Sequence, residues 1–272
     1  MTAAEKLAEI AARSDAAIDV AEAALWIAAS EYPSLDVSAC LERFDALAAA
    51  ALERVPTDLA ADERVALLNQ FLFDDCGFRG NDRDYFDPKN SFLNDVLERR
   101  TGLPITLSLV YVEIARRIGL EVVGVGFPGH FLVKLERPEI LIDAFHGRVV
   151  TREECADKLA QSLGEGAALD DEHLRAARPR EILCRVLRNL KHLYVNRGDF
   201  QRALDTVSQI LLFEPDDVGE MRDRGVLYLR LECFGAALRD LEESLARDPD
   251  GPAADAIRRS LPDLRRQVAA LQ

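Results

Sequence analysis

The chain has 272 residues, enough for one large domain or two ordinary ones. A chain of this length can bury a hydrophobic core that is stable without disulfide bonds. Its net charge of -14 gives an acidic surface that repels phosphate groups, so nucleic acid and anionic membranes are poor candidate partners. The five cysteines form no CxxC pair, which argues against a structural zinc site and against a disulfide framework.

The amino-terminal segment favours a cytoplasmic location. It carries acidic residues throughout and lacks the basic and apolar regions of a signal peptide. No stretch of the sequence approaches 18 uninterrupted apolar residues, so no transmembrane helix is predicted.

Amphipathic helices are predicted for the first quarter of the chain. Apolar residues recur at steps of three and four over residues 3–29, and Pro33 ends this pattern. Two more helices are predicted over residues 38–55 and 60–73, with Pro56 between them.

A long loop is predicted over residues 76–90, where Gly, Asn, Asp and Pro are concentrated. Loops of this length are uncommon inside a compact domain and usually have a function. Helical spacing returns at residues 92–97, and a further helix is predicted from Pro104 to Ile118. Proline suits the first turn of that helix because its missing N–H would have no helical partner there.

Three short segments rich in Val, Ile, Leu and Phe predict a small antiparallel sheet over residues 120–126, 130–135 and 139–145. The turn that follows the second segment predicts a register in which His130 lies opposite Asp143. Directly opposed residues share one face of a sheet, so these two side chains are expected to lie together.

A capping box of Thr151 and Glu154 predicts the start of another helix that continues to residue 163. The domain boundaries that follow are a first domain over residues 1–165, a linker over residues 166–178 and a second domain over residues 179–272.

The carboxy-terminal third shows an internal repeat. Pro215 and Pro249 lie 34 residues apart, each behind an acidic residue and an amphipathic helix, and 34 residues is the length of a tetratricopeptide repeat. The matching positions, which resemble the tetratricopeptide pattern, are Leu187 and Met221, Tyr194 and Tyr228, Ala203 and Ala237, and Val207 and Leu241. A closing helix is predicted from Ala253 to Leu271.

The tetratricopeptide resemblance implies a concave groove lined by the first helix of each repeat. The lining positions are Arg185, Arg188, His192, Asn196, Arg222 and Arg230. Such a basic groove would suit a protein partner that offers an acidic peptide or a carboxy-terminal carboxylate. The alternative is that these arginines pair with nearby acidic side chains on a solvated face.

Three elements in chain order resemble the transglutaminase-like, papain-related superfamily: a turn into a helix at residues 102–104, His130 opening a strand, and Asp143 on the next strand. In that superfamily a cysteine at the helix start is activated by the helix dipole and by the histidine and aspartate. Gly119 resembles the glycine that follows this helix in the superfamily. Counting back from Gly119 by the length of the helix puts the position of the catalytic cysteine on Pro104.

The runs over residues 90–94, 99–108 and 124–133 resemble the bacterial SirB-type family, over most of residues 35–250. The resemblance implies an α+β fold, with a helical amino-terminal region and a small antiparallel sheet forming a transglutaminase-like core. An all-α tetratricopeptide-like region follows this core. A regulatory role is implied as well.

Proline has no nucleophilic atom, so we predict a non-catalytic or vestigial transglutaminase-like domain with His130 and Asp143 as a remaining dyad. Pro104 and Asn90 are expected to line its pocket. The protein would then act as a protein-binding scaffold or regulatory adaptor through its repeats, without a cofactor.

Two alternatives stay open. A hydrolase or acyltransferase would draw its nucleophile from Cys76, Thr106 or Ser108 and activate it with the His130 and Asp143 dyad. A pure adaptor would use the first domain only as support for the repeats.

A metal site is not expected from the sequence. His130, Asp143 and His146 form a possible ligand set, but it lacks a fourth convergent protein ligand.

Overall fold

The computed structural model describes residues 2–164 and 166–270. The chain divides into two compact units, residues 1–186 and residues 187–272. The boundaries predicted at residues 165 and 179 stay a prediction. No helix within the described ranges combines the length and the apolar character that crossing a membrane requires.

The first unit is mostly helical. Its helices are α1 Ala3–Ala11, α2 Val20–Glu31, α3 Val37–Leu52, α4 Ala61–Asn69, α5 Leu93–Arg99, α6 Pro104–Arg117 and α7 Arg152–Leu163.

The single helix predicted over residues 3–29 is two helices, α1 and α2, separated by a 3₁₀ turn at Asp15–Ala17. The break has a local cause. The Asp19 side chain accepts the backbone N–H of Glu22 at 2.9 Å and so caps a new helix.

Helix α6 is the centre of this unit, because it is buried along nearly its whole length and packs against α2, α3 and α5 on its helical side. Pro104 occupies its first turn, as predicted. Residues 104–111 are all buried, so the first two turns of α6 present no face to solvent, as expected of a core helix.

The sheet has four antiparallel strands in the order β3-β4-β5-β6. Two further short strands, β1 and β2, pair in parallel beside the loop region. The strand bounds are β1 Arg79–Gly80, β2 Thr101–Gly102, β3 Val122–Val125, β4 Leu132–Leu135, β5 Ile140–Asp143 and β6 Arg148–Val150. The sheet was predicted with three strands, and β6 was missed because it is short and partly exposed.

The predicted hairpin register is wrong by two residues. Leu135 pairs with Ile140 and Val133 with Ile142, so the turn is centred between Arg137 and Pro138. Asp143 therefore aligns beyond the paired part of β4, and His130 lies before that strand begins. A shift of two keeps the same face, which is why the two side chains still meet.

The second unit is all-α. Its helices are α8 Pro179–Asn196, which begins in the first unit, α9 Phe200–Phe213, α10 Val218–Arg230, α11 Phe234–Arg247 and α12 Ala254–Ala270. Consecutive helices from α9 to α12 pack against each other. Leu271, the last residue of the predicted closing helix, lies outside the described residues.

The repeat positions form the core of this unit. Ala203 and Val207 in the first repeat and their counterparts Ala237 and Leu241 in the second are all buried. Gly225 allows a close helix approach, since a Cβ there would lie 2.8 Å from Leu241. Helix α12 closes the second repeat by packing apolar side chains against Ala237 and Leu241.

A buried charge network crosses the same unit. Lys191 is 7% exposed, and its Nζ lies 2.8 Å from Glu220 and 2.9 Å from Asp223. Glu220 is 4% exposed and also accepts a hydrogen bond from Arg188 at 2.9 Å. Because both charges of the Lys191 and Glu220 pair are buried, each depends on the other for compensation.

Replacing Glu220 by alanine should lower the free energy of unfolding by about 3 kcal/mol, because Lys191 would stay buried with half of its compensation. Urea denaturation followed by circular dichroism measures this loss. The matched control is Glu242→Ala, which removes an exposed pair with Arg265 and should cost less than about 1 kcal/mol. Equal losses in the two variants would contradict the assignment of a buried network.

Candidate functional site

The carboxylate of Asp143 is the centre of the site in the first unit. Asp143 ends β5, and His130 lies just before β4, so the hairpin brings them to the same end of these two central strands. The Asp143 side chain is fully buried. Nε2 of His130 lies 2.9 Å from Oδ1 of Asp143, in a geometry too bent for a straight hydrogen bond.

Four other donors reach the same carboxylate. The backbone N–H groups of Phe145 and His146 lie 3.2 and 3.3 Å from Oδ1, as in an Asx turn. Nδ1 of His146 and Nζ of Lys158 lie 2.9 and 2.7 Å from Oδ2. A carboxylate offers about four lone-pair positions, so five donors compete and the His130 contact is the misaligned one.

This crowding fixes the charge of the carboxylate. Burial alone would raise the pKa of Asp143, but the contacts with His130, Lys158 and His146 outweigh burial and hold that pKa well below its usual range. Asp143 is therefore ionised throughout the physiological pH range. Its negative charge is the reason why three cationic or donor side chains collect around it.

Sequence reasoning missed Lys158 and named His146 only within a possible metal-ligand set. His146 lies in the turn after β5, and its ring contacts Asp143. Lys158 comes from α7, whose predicted start at Thr151 was the only sequence signal that could have oriented it. Long-range contacts of this kind depend on how α7 packs on the sheet.

Aromatic side chains surround the two histidines. The Phe145 ring lies 6.4 Å from the His130 ring and 5.1 Å from the His146 ring. Tyr85, in the long loop, packs edge-on against Phe145 at 6.0 Å, and its neighbour Phe86 is 67% exposed. The loop predicted over residues 76–90 thus contributes one wall next to the site.

Asn90 anchors this loop. It is fully buried, and its side chain donates to the carbonyls of Asp84 and Tyr85 at 2.7 and 3.2 Å and accepts from Asn81 at 3.0 Å. Its backbone carbonyl accepts a hydrogen bond from Thr106 Oγ1 at 2.7 Å. Asn90 therefore ties the loop to the first turn of α6, where Pro104 lies.

The two candidate hydroxyl nucleophiles have other surroundings. Thr106 is buried, and its Oγ1 also accepts the backbone N–H of Leu103 at 3.0 Å, which makes it a helix cap. Ser108 is fully buried, and its Oγ has no hydrogen-bond partner among the described residues. Neither hydroxyl hydrogen-bonds to His130 in the described part of the chain.

Cys76, the candidate thiol, follows the π-helical turn Gln70–Asp75. Its backbone carbonyl accepts a hydrogen bond from Arg100 at 2.6 Å. Burial raises the pKa of the Cys76 thiol, and the nearby Arg100 charge does not overcome this effect. A nucleophilic cysteine needs the opposite shift.

The six predicted groove residues fall into separate environments. His192, Asn196 and Arg230 line one pocket of about 340 Å³ in the second unit. Arg188 and Arg222 pair with acidic side chains, as the alternative interpretation had it. Arg185 lies in the first unit, where it donates to the backbone carbonyl of His130 at 2.7 Å.

Replacing Asn90 by alanine should release the loop, because the carbonyls of Asp84 and Tyr85 and the side chain of Asn81 lose their shared partner. We expect a stability loss of about 1–3 kcal/mol and faster chymotrypsin cleavage after Tyr85 and Phe86. The control is Arg83→Ala, an exposed position in the same loop. Cleavage at the same rate in both variants would show that Asn90 does not hold the loop.

Family comparisons agree with this architecture. Residues 38–188 match the family model described as transglutaminase-like superfamily, and residues 190–262 match the model described as tetratricopeptide repeat. The expected α+β core followed by helical repeats is thus confirmed. No solved structure is significantly similar to the chain.

Several curated bacterial proteins are similar over most of their length. A UPF0162 protein of Xylella fastidiosa is 37% identical over 266 residues, which cover 94% of this chain and 93% of that protein. The UPF0162 protein YchA of Escherichia coli is 30% identical, and protein SirB1 of Salmonella typhimurium is 29% identical, each over 84% of this chain and 85% of the relative. The SirB-type resemblance is therefore confirmed, and the chain belongs to the UPF0162 family of transglutaminase-like proteins with tetratricopeptide repeats.

Proposed function

We propose that this protein is a non-catalytic scaffold or regulatory adaptor that recruits a protein partner through the tetratricopeptide repeats of its second unit, called the repeat unit below. The observation that carries the proposal is Pro104 in the first turn of α6, where the superfamily resemblance puts the nucleophilic cysteine. A proline ring has no atom that can attack a carbonyl. The histidine and aspartate of the dyad therefore have no thiol to activate at that position.

The surroundings of the alternative nucleophiles support the same proposal. The Thr106 hydroxyl is used in capping α6, the Ser108 hydroxyl is buried, and the pKa of the Cys76 thiol is raised by burial. General-base activation requires the nucleophile within hydrogen-bond reach of the base. None of the three side chains hydrogen-bonds to His130 among the described residues.

The pocket in the second unit has the chemistry of a peptide site. Two of its lining residues, Val195 and Val226, are exposed apolar side chains. Arg230 stacks over the Phe200 ring at 5.8 Å and has no acidic partner in the described part of the chain. A partner segment with an apolar side chain next to a carboxylate would pair with both features.

Amide hydrolysis and amine transfer by the purified full-length protein test the absence of catalysis. We expect no turnover that depends on His130, and the same slow alkylation of Cys76 at slightly acidic pH in wild type and in His130→Ala. His173→Ala, a histidine paired with Asp170 outside the site, is the matched control. If wild type shows turnover or fast alkylation of Cys76, and His130→Ala loses it while His173→Ala keeps it, the protein is an enzyme instead.

Partner capture with the full-length chain tests recruitment by the repeat unit. Arg230→Ala should weaken capture by about tenfold, because a charge-assisted contact of about 1.4 kcal/mol is lost. Arg259→Ala, an exposed arginine on α12, should leave capture unchanged. A partner that binds Arg230→Ala as tightly as wild type would place recruitment outside this pocket.

A further inference from the structure

The cluster around Asp143 offers more than a remnant of a catalytic dyad. We propose that His130, Asp143 and His146 bind one divalent transition-metal ion of the zinc class, through two imidazole nitrogens and one carboxylate oxygen. This inference is independent of the adaptor function, because it concerns the first unit and needs no nucleophile.

Ligand spacing is the first argument. One potential ligand atom from each of the three residues lies within 4.8 Å of the other two. Nε2 of His130 lies 2.9 Å from Oδ1 of Asp143, and Nδ1 of His146 lies 2.9 Å from Oδ2 of the same carboxylate. Metal bonds of about 2.0–2.1 Å in a tetrahedral site put neighbouring ligand atoms about 3.3 Å apart, so whichever carboxylate oxygen binds the ion, one imidazole nitrogen already lies near the required spacing.

The orientation of His130 is the second argument. Its Nε2 is buried without an aligned hydrogen bond, although Asp143 is only 2.9 Å away. A buried nitrogen without an aligned partner costs free energy. A metal ion that replaces this bent contact would give the His130 nitrogen and Asp143 Oδ1 a shared partner.

The outer shell and the access route suit an ion as well. Backbone N–H groups of Phe145 and His146 hold Asp143 Oδ1, which is the kind of support that orients metal ligands. The His146 side chain is 46% exposed, so an ion can enter on its side. Three protein ligands with a fourth position left for water or a small ligand describe an open site. The missing fourth protein ligand is therefore no objection.

Lys158 should lower the affinity of the site for a metal ion. Its ammonium lies 2.7 Å from Asp143 Oδ2 and repels a cation bound to the same carboxylate. The lysine partly substitutes for an ion in the metal-free protein. Binding should therefore be weaker than in a site without a competing lysine, and it should tighten when the lysine charge is removed.

Titration of the chelator-treated full-length protein with Co²⁺ and with Zn²⁺ tests the proposal. Calorimetry should give one equivalent, and Co²⁺ should add visible absorption from its ligand field. His130→Ala and His146→Ala should each weaken binding by more than about 100-fold, since even outer-shell changes cost 10–100-fold. Lys158→Met should tighten binding by about tenfold.

Two control variants distinguish this site from incidental binding. His173→Ala removes a histidine whose Nδ1 lies 2.6 Å from Asp170 outside the cluster, and Cys233→Ser removes an exposed thiol. Both should bind Co²⁺ like wild type. The proposal is overturned if wild type binds no ion, if His146→Ala binds as tightly as wild type, or if Lys158→Met fails to tighten binding.

Discussion

The buried carboxylate of Asp143 is the interaction on which the site depends. A charge without solvent must be compensated, and here two histidines, a lysine and two backbone amides converge on it. These contacts connect β5, the turn after it, the start of β4 and helix α7. The same convergence brings the predicted dyad and the metal-ligand set that we propose to one place.

The other side of the site is built around the first turn of α6. Pro104 begins that helix, and the Thr106 hydroxyl joins it to Asn90, which in turn holds the loop carrying Tyr85. Polar groups that a catalytic site would leave available are here used in capping and anchoring. The chain thus keeps a transglutaminase-like core, while hydrogen bonds that serve structure occupy the Thr106 hydroxyl, two residues after Pro104.

The charged side chains of the repeat unit fall into two groups, one that stabilises the unit and one that we assign to partner binding. Lys191, Arg188 and Glu220 form a network that stabilises the unit, and its arginine is no longer available to a ligand. Arg230 lies on the Phe200 ring beside exposed valines and is the cation that we assign to a partner. Charge counts along a repeat helix therefore overstate the basic character of its groove, because two of the four arginines predicted to line it, Arg188 and Arg222, pair with acidic side chains.

Local patterns in the sequence determined the helices apart from the break between α1 and α2, three of the four strands of the main sheet, the repeat length and the shared sheet face of His130 and Asp143, because these depend on periodicity, capping and the two-residue alternation of a strand. The tertiary structure alone decided the hairpin register, the approach of Lys158 and the division of the six groove residues. The approach of Lys158 and the division of the groove residues depend on the packing of elements far apart in the chain, such as α7 on the sheet, whereas the hairpin register depends on the geometry of the turn between β4 and β5. Spacing along the sequence does not give the distance between such elements. The side chains that complete the site can therefore be identified only in the folded structure.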